Sequence, residues 1–210
     1  MNKAKGTFIT LEGIEGAGKS THIRFIHDLL SKSGRKVLTT REPGGTELGE
    51  KIRDILLMQH ALHVDAESEL LLMFAARAQH LNQVILPALA DGITVLCDRF
   101  TDSSYAYQGG GRGVASDKID RLANIVHPGL KPDLTILLDV PAEIGLERAR
   151  KKGETDRFES EAMRFFESAR QVYLNIAIAD PDRVKMVNAL RDIGHVQQEI
   201  KVILQEHKLC

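Results

Sequence analysis

Short apolar runs alternate with longer stretches of helical periodicity along the chain. Residues 8–11, 36–40, 93–97, 134–138 and, more weakly, 183–187 read as strands rich in Ile, Val, Leu and Thr. They are continuous apolar runs rather than apolar–polar alternations, as expected of strands buried on both faces. Helical patterns fill the gaps at 19–31 (closed by Gly34), 47–58 and 66–90. Asp91-Gly92 marks a turn into the third strand. Strands separated by helices need crossover connections. The pattern therefore predicts an α/β fold, a doubly wound parallel sheet with helices on both faces. Ligands in such sheets bind beyond the carboxyl ends of the strands, so the residues after each strand carry the candidate chemistry.

Composition narrows the class. The chain has 210 residues, enough for one domain spanning 1–210, and 43% of them are hydrophobic. Lys and Arg number 28 against 29 Asp and Glu, a net charge of −1. That balance argues against a nucleic-acid binder or a membrane-surface protein that relies on bulk electrostatics. The longest unbroken apolar run, 70–76, is too short to span a bilayer, and the polar start of the chain carries no secretory core. Two cysteines, Cys97 and Cys210, do not make a disulfide framework. A soluble protein of a reducing, cytoplasmic compartment is expected.

After the first strand, Gly13-Ile14-Glu15-Gly16-Ala17-Gly18-Lys19-Ser20-Thr21 fits G-x-x-x-x-G-K-[ST] followed by a helix. Its backbone N–H groups would cradle phosphates at a helix N-terminus, Lys19 would reach the β- and γ-phosphates, and Ser20 would bind Mg²⁺. ATP and Mg²⁺ are thus the expected cofactors. After the second strand come Arg41-Glu42-Pro43-Gly44-Gly45-Thr46, either a substrate contact or an ordinary turn before a helix. Phe74 and Arg77 share a helix face, suited to stacking on a nucleobase and bonding its carbonyl edge, or to core packing with a snorkelling arginine. His80 reads as a solvated or locally bonded histidine. After the third strand, Asp98 suits metal binding through water and Arg99 suits a phosphate grip. Ser103, Ser104, Tyr107 and Gln108 could read base and sugar edges, and Gly109-Gly110-Gly111-Arg112-Gly113 reads as a mobile loop. After the fourth strand, 147–158 carries five cations, among them Arg148, Arg150 and Arg157. It reads as a solvated helix or as a lid bringing charge to a moving phosphoryl group.

Four motifs in order, 11–20, 41–46, 98–100 and 106–109, resemble the bacterial type of the thymidylate kinase (dTMP kinase) family, within the P-loop nucleoside monophosphate kinases. The resemblance implies a five-stranded parallel sheet, a homodimer and the reaction ATP + dTMP → ADP + dTDP with Mg²⁺, in dTTP biosynthesis. It further implies that Arg99 holds the dTMP phosphate, Arg77 bonds the thymine edge and Ser104 faces the base N3. Tyr107 would crowd the sugar C2′, and Glu15 would lie near the 3′-hydroxyl and the metal. Arg41, Pro43, Ser103 and Gln108 complete the expected substrate set. The phosphate loop lacks an arginine, so a lid arginine is expected to supply that charge: Arg148, Arg150 or Arg157. The position of the family's stacking phenylalanine is occupied by Met73, with Phe74 one residue later.

Overall fold

A computed structural model describes residues 5–58, 64–152, 158 and 161–210. It contains a five-stranded, all-parallel sheet in the order β2-β3-β1-β4-β5. The strands are β1 (Phe8–Glu12), β2 (Val37–Arg41), β3 (Thr94–Asp98), β4 (Leu134–Asp139) and β5 (Val184–Asn188). The helices are α1 (Lys19–Lys32), α2 (Glu47–Leu57), α3 (Ala66–His80), α4 (Leu86–Ala90), α5 (Thr101–Ser104), α6 (Ser116–Val126), α7 (Ala142–Lys152), α8 (Met163–Ala179) and α9 (Ile193–Glu206). The expected strands are all present, each within one residue or so of its sequence reading.

Burial explains the strand order. Every residue of β1 is buried, and it lies at the centre between β3 and β4. Ile9 and Leu11 join a core built with Ile26 and Leu30 of α1, Phe166 of α8 and Ile200 of α9. Phe8 joins the opposite core, with Val95, Cys97, Leu81, Ile85 and Phe100. Helices on both faces therefore each cover a separate apolar layer, as a doubly wound sheet requires. The chain reverses its winding direction at β1, which opens a crevice at the carboxyl ends of β1 and β3.

Two stretches differ from their sequence reading. The stretch 66–90 is helical throughout, but a wide π-helical turn at Leu81–Ile85 joins α3 to α4. Pro87 sits in the first turn of α4, where its missing N–H and its ring would break a regular α-helix; the wide turn before it takes up the mismatch. The second difference corrects the expected mobile loop. Residues 101–111 form α5 and a second wide helical turn, Tyr105–Gly111, pressed against α8. A Cβ at Gly111 would lie 2.3 Å from the Phe165 ring, and one at Gly110 2.8 Å from the Ser168 carbonyl oxygen. The glycines allow two helical segments to approach closely.

Candidate active site

The 13–20 loop turns on three glycines with positive φ and ends at Gly18, the left-handed N-cap of α1. Gly16 (φ 69°) touches α7 so closely that a Cβ would fall 1.9 Å from the Gly145 carbonyl oxygen. The first turn of α1 holds no acidic residue, so its positive end is open to an anion. Lys19 Nζ donates to the Gly13 and Ile14 carbonyl oxygens at 2.8 and 2.9 Å, which centres the ammonium over the loop. Burial, aided by the nearby Arg99 guanidinium, lowers its pKa to about 8. Phosphate oxygens beside it would favour the charged form again.

Asp98, at the end of β3, has a buried Oδ1 that finds no hydrogen-bond partner. An orphaned carboxylate oxygen in a residue that lines the same cavity as Ser20 fits Mg²⁺, which keeps several waters and needs only one or two protein oxygens beside the substrate phosphates. No cluster of three or more metal-ligating side chains occurs among the described residues.

Arg99 follows with φ 70°, an uncommon conformation for a residue with a side chain. Its backbone N–H donates to the Leu11 carbonyl oxygen at 3.0 Å. Nη1 donates to the Gly13 carbonyl oxygen, the Ser103 hydroxyl and the Tyr173 hydroxyl at 3.0, 3.2 and 3.2 Å. Nη2 donates to Glu15 Oε1 at 2.9 Å and to the Tyr107 hydroxyl at 3.0 Å, and Tyr107 in turn donates to Glu15 Oε2 at 2.5 Å. The guanidinium lies 4.7 Å from the centre of the Tyr107 ring.

At the other end of the crevice Arg77 is buried. Nε donates to Glu42 Oε2 at 2.7 Å, Nη1 to Ser104 Oγ at 3.1 Å and Nη2 to the Phe100 carbonyl oxygen at 3.1 Å. Burial works to raise the Glu42 carboxyl, but Arg77 and His80 outweigh it and hold its pKa below the ordinary value. His80 is buried and locally bonded, 3.1 Å from Glu42 and 2.6 Å from the Thr40 hydroxyl.

Between these ends lies a cavity of about 400 Å³. Its wall brings together Glu15, Gly16, Gly18, Lys19, Ser20, Thr21, Pro43, Arg77, Asp98, Arg99, Ser103, Ser104, Tyr107, Gln108 and Arg148. Gly13, Ile14 and Ala17 stand behind the wall in the loop that frames it. Other expected residues lie elsewhere. Arg41 is exposed and pairs with Glu50 at 2.7 Å. Arg150 points outward from α7, and Arg157 lies outside the described residues. Phe74 is 2% exposed, packed on Leu70 and Ile119 with Arg77 stacked 4.6 Å above its ring, and it is not on the wall. Met73 is. The two neighbours point in different directions because successive helical residues do not share a face.

Two wall residues escaped the sequence reading, Arg53 and Leu57, while Phe100 and Phe158 lay within the 98–100 motif and the 147–158 segment without a role assigned to either. Behind Arg99 sit Glu12, part of the 11–20 motif but given no role there, and Tyr173, which the sequence reading did not single out. Arg53 was findable, since it lies on the helix that the 41–46 turn opens, and its Nη1 donates back to the Pro43 carbonyl oxygen at 3.0 Å. Burial pushes the Glu12 carboxyl up to about 7, with Asp102 adding to the rise.

Known proteins match this arrangement. The thymidylate kinase family model matches residues 11–200. A thymidylate kinase of Pseudomonas syringae pv. tomato is 53% identical over 201 residues, 96% of each chain. One from Pseudomonas fluorescens is 51% identical over 199 residues, 95% of each chain. The crystal structure of thymidylate kinase from Ehrlichia chaffeensis superposes with a TM-score of 0.78 at 35% identity, covering 96% of this chain and 99% of that one. With the phosphate loop, the paired arginines and the full-length likeness in agreement, the chain belongs to the thymidylate kinase family.

Proposed function

We propose that the cavity transfers the γ-phosphoryl group of ATP to dTMP with the residues of its wall in the following roles. The observation that carries the reading is the meeting of Lys19, Arg99 and the unpartnered Asp98 oxygen at one end of a cavity whose other end is Arg77. ATP lies on the 13–20 loop, its β- and γ-phosphates against Lys19 and the α1 N-terminus. Ser20 and Asp98 are the residues that would hold Mg²⁺, which would supply neutralisation of the phosphate charge.

The dTMP phosphate lies on Arg99. Its acceptor oxygen is already anionic at neutral pH, so no strong general base is required and the work is positioning and charge neutralisation. Two anionic substrates repel, and Lys19, Arg99 and a cation of the 147–158 lid offset that repulsion. Arg148 is the described lid arginine on the wall. Its Nη1 donates to the Ala189 carbonyl oxygen at 2.9 Å, so swinging to the phosphates means exchanging that bond.

Base reading follows from donor counting. Arg77 has five N–H bonds and directs three at Glu42, Ser104 and the Phe100 carbonyl. One remains on each terminal nitrogen, enough to meet a thymine carbonyl. Cytosine would set an amino donor against them. Ser104 accepts from Arg77 and keeps a lone pair for the base N3–H, while Met73 packs on the ring. Tyr107, held by Glu15 and Arg99, fills the space beside C2′ and disfavours ribose. We place the whole chain in one domain and read it as a cytoplasmic homodimer, to be tested by sedimentation. Among the described residues no helix is long and apolar enough to cross a membrane.

The test is a phosphoryl-transfer assay with ATP and Mg²⁺, offering dTMP, dUMP, dCMP and UMP in turn. Selective turnover of dTMP is expected. Lys19→Ala should lower kcat by on the order of 10³-fold while the protein stays folded. Near-normal kcat in that variant, or a preference for UMP, would refute the assignment.

A further inference from the structure

Glu12 closes β1 with its side chain fully buried, behind Arg99 and off the cavity wall. Its Oε1 accepts the Phe100 N–H at 2.7 Å. Its Oε2 faces the Ser103 hydroxyl at 2.6 Å and the Tyr173 hydroxyl at 2.8 Å, and those two hydroxyls are 2.7 Å apart. The three oxygens form a triangle. Arg99 Nη1 donates into the same two hydroxyls, at 3.2 Å each.

Arg99 therefore needs a lone pair on each hydroxyl. Each hydroxyl owns one proton. With Glu12 ionised, two protons serve the three edges of the triangle; with Glu12 neutral, three protons serve three edges. In neither state is a proton left to face the guanidinium. The backbone is pinned by the same strand end: the Arg99 N–H reaches the Leu11 carbonyl and the Phe100 N–H reaches Glu12, so the left-handed Arg99 turn is fixed on both sides.

We infer that Glu12 is a positioning residue for the phosphate grip: it orders the Ser103 and Tyr173 hydroxyls to present lone pairs to Arg99 and anchors the turn that carries Arg99. This rests on Arg99 holding the dTMP phosphate. An amide is the discriminating replacement. In Glu12→Gln, Nε2 brings two protons, four protons compete for three edges, and the surplus one turns toward Arg99. Rotated the other way, the amide sets its N–H groups against the Phe100 N–H. Either way Arg99 is mis-set by an isosteric change.

The experiment measures kcat and both KM values for the wild type, Glu12→Gln, Tyr173→Phe and Arg99→Ala. Glu12→Gln is expected to raise the dTMP KM about tenfold with the ATP KM within about twofold, and Tyr173→Phe, which removes one acceptor of Arg99 and one donor to Glu12 but turns no proton toward the guanidinium, to raise it about threefold. If Arg99→Ala raises the dTMP KM while both other variants leave it unchanged, Glu12 has no such role. Equal rises in both KM values in Glu12→Gln would mark general damage and also overturn it. If Arg99→Ala itself leaves the dTMP KM unchanged, the phosphate reading fails first and the inference with it. Should Glu12→Gln not fold, Tyr173→Phe decides alone: a threefold rise confined to dTMP supports the role and no change refutes it.

Discussion

Arg77 and Glu42 form a buried ion pair at the cavity wall, 2% and 4% exposed at their side chains. Burying two charges is costly, and the pair persists because His80, Ser104 and the Phe100 carbonyl complete its hydrogen bonds. Removing one partner leaves the other charged and dry. Glu42→Ala should therefore destabilise the fold by about 3–5 kcal/mol in urea unfolding, and a loss under about 1 kcal/mol would show the pair to be dispensable. The neighbours Met73 and Phe74 separate wall from core at the same scale. Phe74→Ala should cost about 3–5 kcal/mol of stability. Met73→Ala should raise the dTMP KM several-fold and hardly move Tm, since Met73 is half-buried on the wall while Phe74 is in the core. The reverse pattern would restore Phe74 as the base-facing residue.

The helical segment 101–111 shows what a side-chain pattern hides at the scale of an element. Three consecutive glycines suggest a loop, because an isolated Gly-rich segment has no reason to order. The reason is supplied by α8, distant in sequence, whose Phe165 and Val172 occupy the space where methyl groups would go. Gly111→Ala should thus destabilise the protein by about 1–3 kcal/mol through overpacking, although alanine is the better helix former. An equal or higher Tm would mean that the segment has room to spare. The contrast with β1 explains what the sequence could reveal. A continuous apolar run and a phosphate loop are local signals, so the strands, the winding and the residues Gly13 to Ser20 were legible. Asp98 and Arg99 were legible because they end a strand. Arg41, Phe74 and the glycine run were not, because which side of a helix or strand end faces the cavity depends on packing partners far along the chain. Tyr173 lies 161 residues from its partner Glu12, and no local pattern could join them.

Across the whole molecule, the pH dependence of stability sums groups of opposite sign. His22 and His127 have pKa values lowered chiefly by burial; they favour folding above the ordinary histidine value and lose that contribution as pH falls. Glu42, depressed by its partners, supports the fold above the ordinary carboxylate range and loses that support in stronger acid. Glu12 runs the other way. Its pKa rises from 4.5 to about 7, so the folded state holds a proton that the unfolded chain releases, and stability falls as pH climbs through that interval. Because the histidines oppose it over part of the same range, the total curve conceals the effect, and only a difference between variants isolates it. Glu12→Gln carries no titrating group. From pH 5 to pH 8 its unfolding free energy should gain roughly 2–3 kcal/mol on the wild type, whatever the offset between the two at pH 5. A difference independent of pH would mean that Glu12 ionises in the folded protein as readily as in the unfolded chain. With the expected slope, the variant would gain stability on the wild type at alkaline pH while its hold on dTMP weakens. Both results together would mark Glu12 as a buried carboxyl kept for the reaction rather than for the fold.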